Sequence, residues 1–111
     1  MTGCELAQSF VEAIDSRDFG RIDALITDDH LFSVNGEEHR GRNSLREAWS
    51  GWWELAPNLR TRVEQIIDAG DHVVIRMRAS GSMARLNGTV ISGEWSFPVA
   101  AIAKIRDGKI C

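Results

Sequence analysis

The side chains able to move a proton near neutral pH are few. The 111-residue chain holds three histidines, His30, His39 and His72, and no tyrosine. His30 alternates with Phe32 and Val34 across Leu31, Ser33 and Asn35, so a strand here sets the imidazole on the apolar side, where it can take or give a proton. Asn35 can polarise a carbonyl but cannot abstract a proton. His30 and Asn35 are therefore the candidate catalytic pair. A lone inward histidine is more often a satisfied structural group, so binding without catalysis stands beside that chemistry. Asp28 and Asp29 are read as closing the preceding helix, His39 as a polar-loop residue within reach of a ligand at a pocket mouth, and His72 as outward by parity.

Other chemistries find less support. The histidines show no HxxxH or HxH spacing, and Cys4 and Cys111 stand at opposite ends, so no metal site is expected. No cofactor is implied. A net charge of −3 opposes a general grip on nucleic acid, and Arg40, Arg42, Arg46, Arg60 and Arg62 read as solvated surface. No apolar run is long enough to span a bilayer, and the first residues lack a secretory pattern, so a cytoplasmic location is expected.

The elements that would position these residues follow from periodicity. Leu6, Phe10, Ala13 and Ile14 predict an amphipathic helix over about Glu5 to Arg17. Asp18 is placed to cap a second, from Phe19 to Thr27. A short strand through His30 to Val34 ends at Gly36, and Glu37 to Gly41 reads as a loop. Asn43 or Ser44 is expected to cap a third helix, in which Leu45, Trp49 and Trp52 form the buried stripe and Trp53 lies near an edge. Beyond Pro57 the period is two. Strands are expected over Leu59–Asp68, His72–Arg85 and Thr89–Arg106, with turns at Ala69-Gly70-Asp71, Asn87-Gly88 and Asp107-Gly108 and a last short strand at Lys109. Pro98 removes a ladder donor, which calls for a local edge or a bulge.

Two rows in this second half carry no ionisable side chain: Val73, Ile75, Met77 and Ala79, and then Trp95, Phe97, Val99, Ala101, Ala103 and Ile105. Such faces must be covered, either as solid core or as the wall of an apolar pocket.

Five short segments, in order, carry a family resemblance: Phe10-Val11-Glu12-Ala13-Ile14-Asp15, Leu25-Ile26-Thr27-Asp28-Asp29, Gly41-Arg42, Ala69-Gly70-Asp71-His72-Val73-Val74 and Arg106-Asp107-Gly108-Lys109-Ile110. With them the chain resembles the nuclear-transport-factor-two-like superfamily and its SnoaL-like members, the polyketide cyclase and ketosteroid isomerase group, over nearly its whole length as a single domain. The resemblance implies an α+β fold: a cone-shaped, curved antiparallel sheet packed against three helices, a cystatin-like roll, here with its last strand shortened. It also implies a homodimer and an apolar pocket lined by Phe10, Phe32, Val34, Trp49, Ile75, Met77, Trp95, Phe97, Val99 and Ala101.

The family's catalytic groups do not carry over. Ketosteroid isomerase needs a carboxylate base and an oxyanion hole made by a tyrosine and a protonated carboxylic acid. Matching to it places Phe10 at the tyrosine, Val34 at the base and Ala101 at the protonated acid, all chemically silent. The arginine and two aspartates of the similar epoxide hydrolases fare no better, since Arg76 and Arg78 neighbour Met77 and Ala79. The implied function is binding of a hydrophobic small molecule. The alternatives are a cyclase, isomerase or dehydratase using His30, and a structural dimerisation module with a filled core.

Overall fold

The computed structural model describes residues 1–111. Helix α1 spans Gly3–Asp15, α2 Phe19–Leu25 and α3 Gly41–Leu55; the strands are β1 Leu31–Val34, β2 Glu37–Arg40, β3 Arg60–Ala69, β4 His72–Leu86, β5 Thr89–Arg106 and β6 Lys109–Ile110. Strands β3 to β6 form one antiparallel sheet in sequence order, and β1 pairs with β2 in a separate hairpin. The helices and the curved four-stranded sheet give the expected α+β class.

Local chemistry explains most boundaries. Thr2 and Glu5 close a reciprocal capping box on α1, and Asp18 accepts from the Arg21 amide to start α2. Asn35-Gly36, Asn87-Gly88 and Asp107-Gly108 each join paired residues through two positions of positive φ, the geometry of a type I′ hairpin turn. The first of these corrects the loop expected at Glu37 to Gly41. That stretch is strand β2, and Gly41 extends the hairpin by donating its amide to the His30 carbonyl at 2.8 Å.

Helix α3 therefore begins directly at the end of β2, earlier than Asn43 or Ser44. Its N-cap position is Arg40, with no side-chain cap. Its buried stripe also differs: Leu45 and Trp53 are buried, with Trp49 half-buried between them, so the i, i+4, i+8 row faces inward. Trp53 packs on Phe19 at 5.4 Å beneath the Arg17 guanidinium. Trp52, like Trp49, is half-buried.

The ladder places Val73 opposite Ala103, Ile75 opposite Ala101, Met77 opposite Val99 and Ala79 opposite Phe97, so the two rows without ionisable groups share one face. Helix α1 covers this face at one end, where Ala7 and Val11 meet Val73 and Ile75. The adjoining core joins α1, α2, α3 and Ile110 of β6. Opposite Ser82, between the pairs Gly81–Trp95 and Met83–Ser92, β5 carries one extra residue, a bulge at Gly93 and Glu94. At Pro98 the edge explanation holds, because β5 is paired beyond β4 only at Ile105 and Arg106.

Candidate functional site

The hairpin, α1 and α3 bring one group of predicted residues together. Phe32 and Val34 share a face of β1, His30 directly precedes that strand and is held to Gly41 by its carbonyl, and His39 lies opposite Phe32 on β2, so His39 joins that face. The Phe32 ring stands 6.1 Å from His39, 6.3 Å from Trp49 and 5.7 Å from Trp52, and Phe10 of α1 approaches His30 at 6.5 Å. Trp49 and Trp52 meet edge to face at 4.8 Å.

Along this cluster three buried nitrogens have no hydrogen-bond partner: His30 Nδ1, His39 Nε2 and Trp49 Nε1. His39 Nε2 faces the Glu37 carboxylate only at 3.8 Å, beyond hydrogen-bond range. Buried polar atoms are nearly always paired, because leaving one unpaired forfeits its hydration without return, about 1–3 kcal/mol each. Three along one aromatic cluster are therefore a chemical signal. The alternation of His39 with Glu37 and Arg40 beyond the Asn35-Gly36 turn is the sequence signal that places it on this face.

His30 is 3% exposed. Burial pushes its imidazole below the ordinary histidine range, and the neighbouring Asp29 charge only partly restores it. The ring is thus neutral at pH 7 and able to accept a proton. Asp29 points outward instead. A hydrogen bond from Arg106 holds its carboxyl down at about 2. Arg42 donates to the Asp23 and Ile26 carbonyls at the end of α2 and pairs with Asp28, fixing the approach of α3 to the segment before His30.

Other candidates part from this group. Asn35 is exposed with φ of 50° in the hairpin turn, so its role is conformational and it does not join His30. Trp95 and Phe97 stack on each other at 5.7 Å, and the Trp95 indole N–H donates to the Met83 carbonyl. Their ring neighbours do not include Trp49. Ile75 is buried under α1, Met77, Val99 and Ala101 are half-buried, and Phe97 is 50% exposed. Arg76 and Arg78 point to the opposite face, where Arg78 meets Glu64 and Ser96.

Two surface clefts lie elsewhere. One of about 280 Å³ separates α1 from the start of β3, between Gln8, Asp15, Arg60 and Thr61; a more open groove of about 590 Å³ runs from Arg60 past Asn58 to Trp95. Of the pocket wall expected from the sequence, only Trp95 borders either. In the first cleft, burial would raise the Asp15 carboxyl, but hydrogen bonds from Arg60 and the Thr61 amide outweigh it and hold Asp15 ionised. This carboxylate joins α1 to β3. No helix is long and apolar enough to cross a membrane.

No curated protein sequence matches the chain at a significant level. Among solved structures it is similar to IdmH of Streptomyces antibioticus, a proposed polyketide cyclase, with a TM-score of 0.86 and 21% identity over 99% of this chain and 87% of that one. A cystatin-fold protein of Novosphingobium aromaticivorans gives a TM-score of 0.82 and 18% identity over 99% and 93% of the two chains. An epoxide hydrolase of M. tuberculosis, described as LEH-like, gives 0.72 and 19% over 96% and 75%. At these identities the likeness shows the fold alone. The family model for the SnoaL-like domain matches residues 7–111, and the chain belongs to that family.

Proposed function

We propose that the domain binds a hydrophobic small molecule bearing at least one oxygen, seated against Phe10, Phe32, Trp49 and Trp52, with the inward faces of Met77, Val99 and Ala101 as its floor. The observation that carries this is the trio of unpartnered nitrogens on His30, His39 and Trp49 beside an aromatic wall. Apolar walls with a few convergent polar groups are the usual makeup of a small-molecule site. The protein acts as a homodimer in this proposal, supported by the apolar Ile67, Val74 and Ile102, which the strand register aligns across the outer face of β3, β4 and β5.

Titration with a solvatochromic naphthyl ketone, followed by tryptophan quenching, is expected to saturate. Trp49→Phe, which keeps an aromatic ring but loses the N–H, should weaken it by about tenfold, the value of one hydrogen bond to a buried group. Absence of saturable quenching in the folded protein would sink the proposal. A second reading, catalysis by a cyclase, isomerase or dehydratase, draws on one observation: His30 is neutral with a free ring nitrogen, the state a general base requires. Its signature is a turnover lost in His30→Gln while dye binding remains.

A further inference from the structure

The chain carries a net charge of −3, yet one stretch of the outer sheet face is cationic. Arg62 stands directly opposite Arg78 across the ladder of β3 and β4, and Arg76 follows two residues along on the same face. Like charges directly opposed destabilise a sheet. The acids nearby leave most of this charge uncompensated: Glu64 reaches Arg78 Nε only at 3.7 Å, and neither Arg62 nor Arg76 has a carboxylate within ion-pair range. Arg60, one row further on, is already engaged, its guanidinium forking onto both oxygens of Asp15. Arg78 is held in place differently. Its Nη1 donates to Ser96 Oγ at 2.9 Å, which leans the guanidinium toward the groove that Ser96 lines. This groove, of about 590 Å³, is nearly all polar: Asn58, Ser80, Ser82, Glu94 and Ser96 border it, with Trp95 as its one apolar element. Asn58 and Ser82 exchange two hydrogen bonds, side chain to side chain and amide to side chain, so that wall is fixed. The smaller cleft, which Arg62 borders, meets the groove at Arg60 and Ser80. The cationic row therefore stands at the head of the groove.

We propose that this groove is a second binding site, for a phosphorylated polyol such as a sugar phosphate. The phosphate sits between Arg62 and Arg78, where its negative charge turns a repulsion between guanidiniums into two charge-assisted contacts, and Arg76 adds positive charge from the next row. The hydroxylated body lies along the groove. There the serine hydroxyls donate and accept, and the Glu94 carboxylate accepts from a ligand hydroxyl. An apolar guest finds only Trp95 in this groove, so its chemistry is unlike that of the aromatic cluster around Phe32, and the inference stands whether or not that cluster binds a ligand. The row Ile67, Val74 and Ile102, which supports the proposed dimer, lies four residues from Arg78 along β4, about 13 Å, on the side away from the groove.

Calorimetric titration with glucose 6-phosphate should show saturable binding, inorganic phosphate should bind more weakly, and glucose should not bind at millimolar concentration. Arg62→Ala and Arg78→Ala should each weaken glucose 6-phosphate by about tenfold, the value of one charge-assisted contact. Should Arg78→Ala misfold by circular dichroism, Arg62→Ala carries this arm alone. Without ligand, Arg62→Ala should melt no lower than the wild type, because it removes a like-charge neighbour; with glucose 6-phosphate present, the wild type should gain melting temperature and the variant should not. Glu94→Ala should weaken glucose 6-phosphate but not inorganic phosphate, which separates the groove from the anion anchor. The proposal is overturned if glucose 6-phosphate does not bind, if it binds no tighter than inorganic phosphate, or if Arg62→Ala melts lower without ligand, which would mean that Arg62 is satisfied within the chain. A single-stranded oligonucleotide that binds more tightly than glucose 6-phosphate, with an affinity falling steeply as salt rises, would overturn it as well, by making the face a polyanion surface.

Discussion

The ladder between β4 and β5 is continuous from the pair His72–Lys104 to the pair Gly81–Trp95, yet its two ends live in different environments. At one end Val73 and Ile75 are buried beneath Ala7 and Val11 of α1. At the other, Phe97 is half-exposed and Trp95 rests over Gly81. The alternation is equally strict at both. Periodicity reports which face of a strand is apolar, while the covering layer decides whether that face becomes core, pocket or contact surface.

The largest effect should come from testing that difference directly. Ile75→Ala is expected to cost about 2–5 kcal/mol in urea unfolding, the range for emptying a well-packed aliphatic site, whereas Val99→Ala, further along the same face on the neighbouring strand, should cost under about 1 kcal/mol. Equal losses would mean that the far end is as solidly packed as the near one, leaving no room for a guest.

A smaller effect is expected where Trp95 crosses Gly81. A methyl group added at Gly81 would fall within the indole ring. At a closed core this overlap would be severe, but here the ring has solvent to swing into. Gly81→Ala should therefore cost about 1–2 kcal/mol and move the Trp95 emission to longer wavelength as its bond to the Met83 carbonyl breaks. Loss of stability without an emission change would place the ring in a rigid wall instead.

The sequence carried the three helices, the long strands with their turns and the inward rows, because each is written in local chemistry: a cap at Asp18, Asx-Gly turns at Asn87 and Asp107, strict alternation. What it carried less well depends on the third dimension. Trp52 and Trp53 both fit an amphipathic stripe, and only the presence of Phe19 on α2 selects Trp53. The Asn35-Gly36 turn is written as plainly as Asn87-Gly88 but is masked by the charged residues after it, which hide β2 and with it His39. At the candidate site His30, Phe10, Phe32 and Trp49 were legible as a group, whereas the separation of Trp95 and Phe97 from them follows from the length of the arm they ride on.

The contrast extends to titration at the covered end. His30 has a lowered affinity for protons in the folded state, so the folded chain binds fewer protons than the unfolded one over the acid side of the histidine range. Its contribution is therefore present above the unfolded value, about 6.5, and is lost as the pH falls through the folded value. The melting temperature should drop between about pH 7.5 and pH 5.5, and His30→Leu should flatten that decline. A wild-type profile already flat across this interval would show that the imidazole finds a partner or solvent when charged.

The smallest effect belongs to the preceding residue. Asp29 is exposed, and its carboxyl is held at about 2, against an ordinary 3.8, chiefly by the hydrogen bond from Arg106 on β5. A depressed carboxylate contributes stability above its unfolded value and loses it as the pH falls through the folded one, so Asp29→Asn should lower the melting temperature only slightly at pH 7 and progressively less as the pH falls from about 4 toward 2. Raising the salt concentration should erase most of even the neutral-pH difference, since exposed pairs are screened. The two neighbours thus titrate in separate windows for opposite reasons: His30 because it is enclosed without a partner, Asp29 because it is paired without enclosure. If Asp29→Asn instead altered the slope in the histidine window, the Asp29 charge would be setting the state of His30 through the backbone that joins them, and the covered end of the sheet would be sensing charge from its surface.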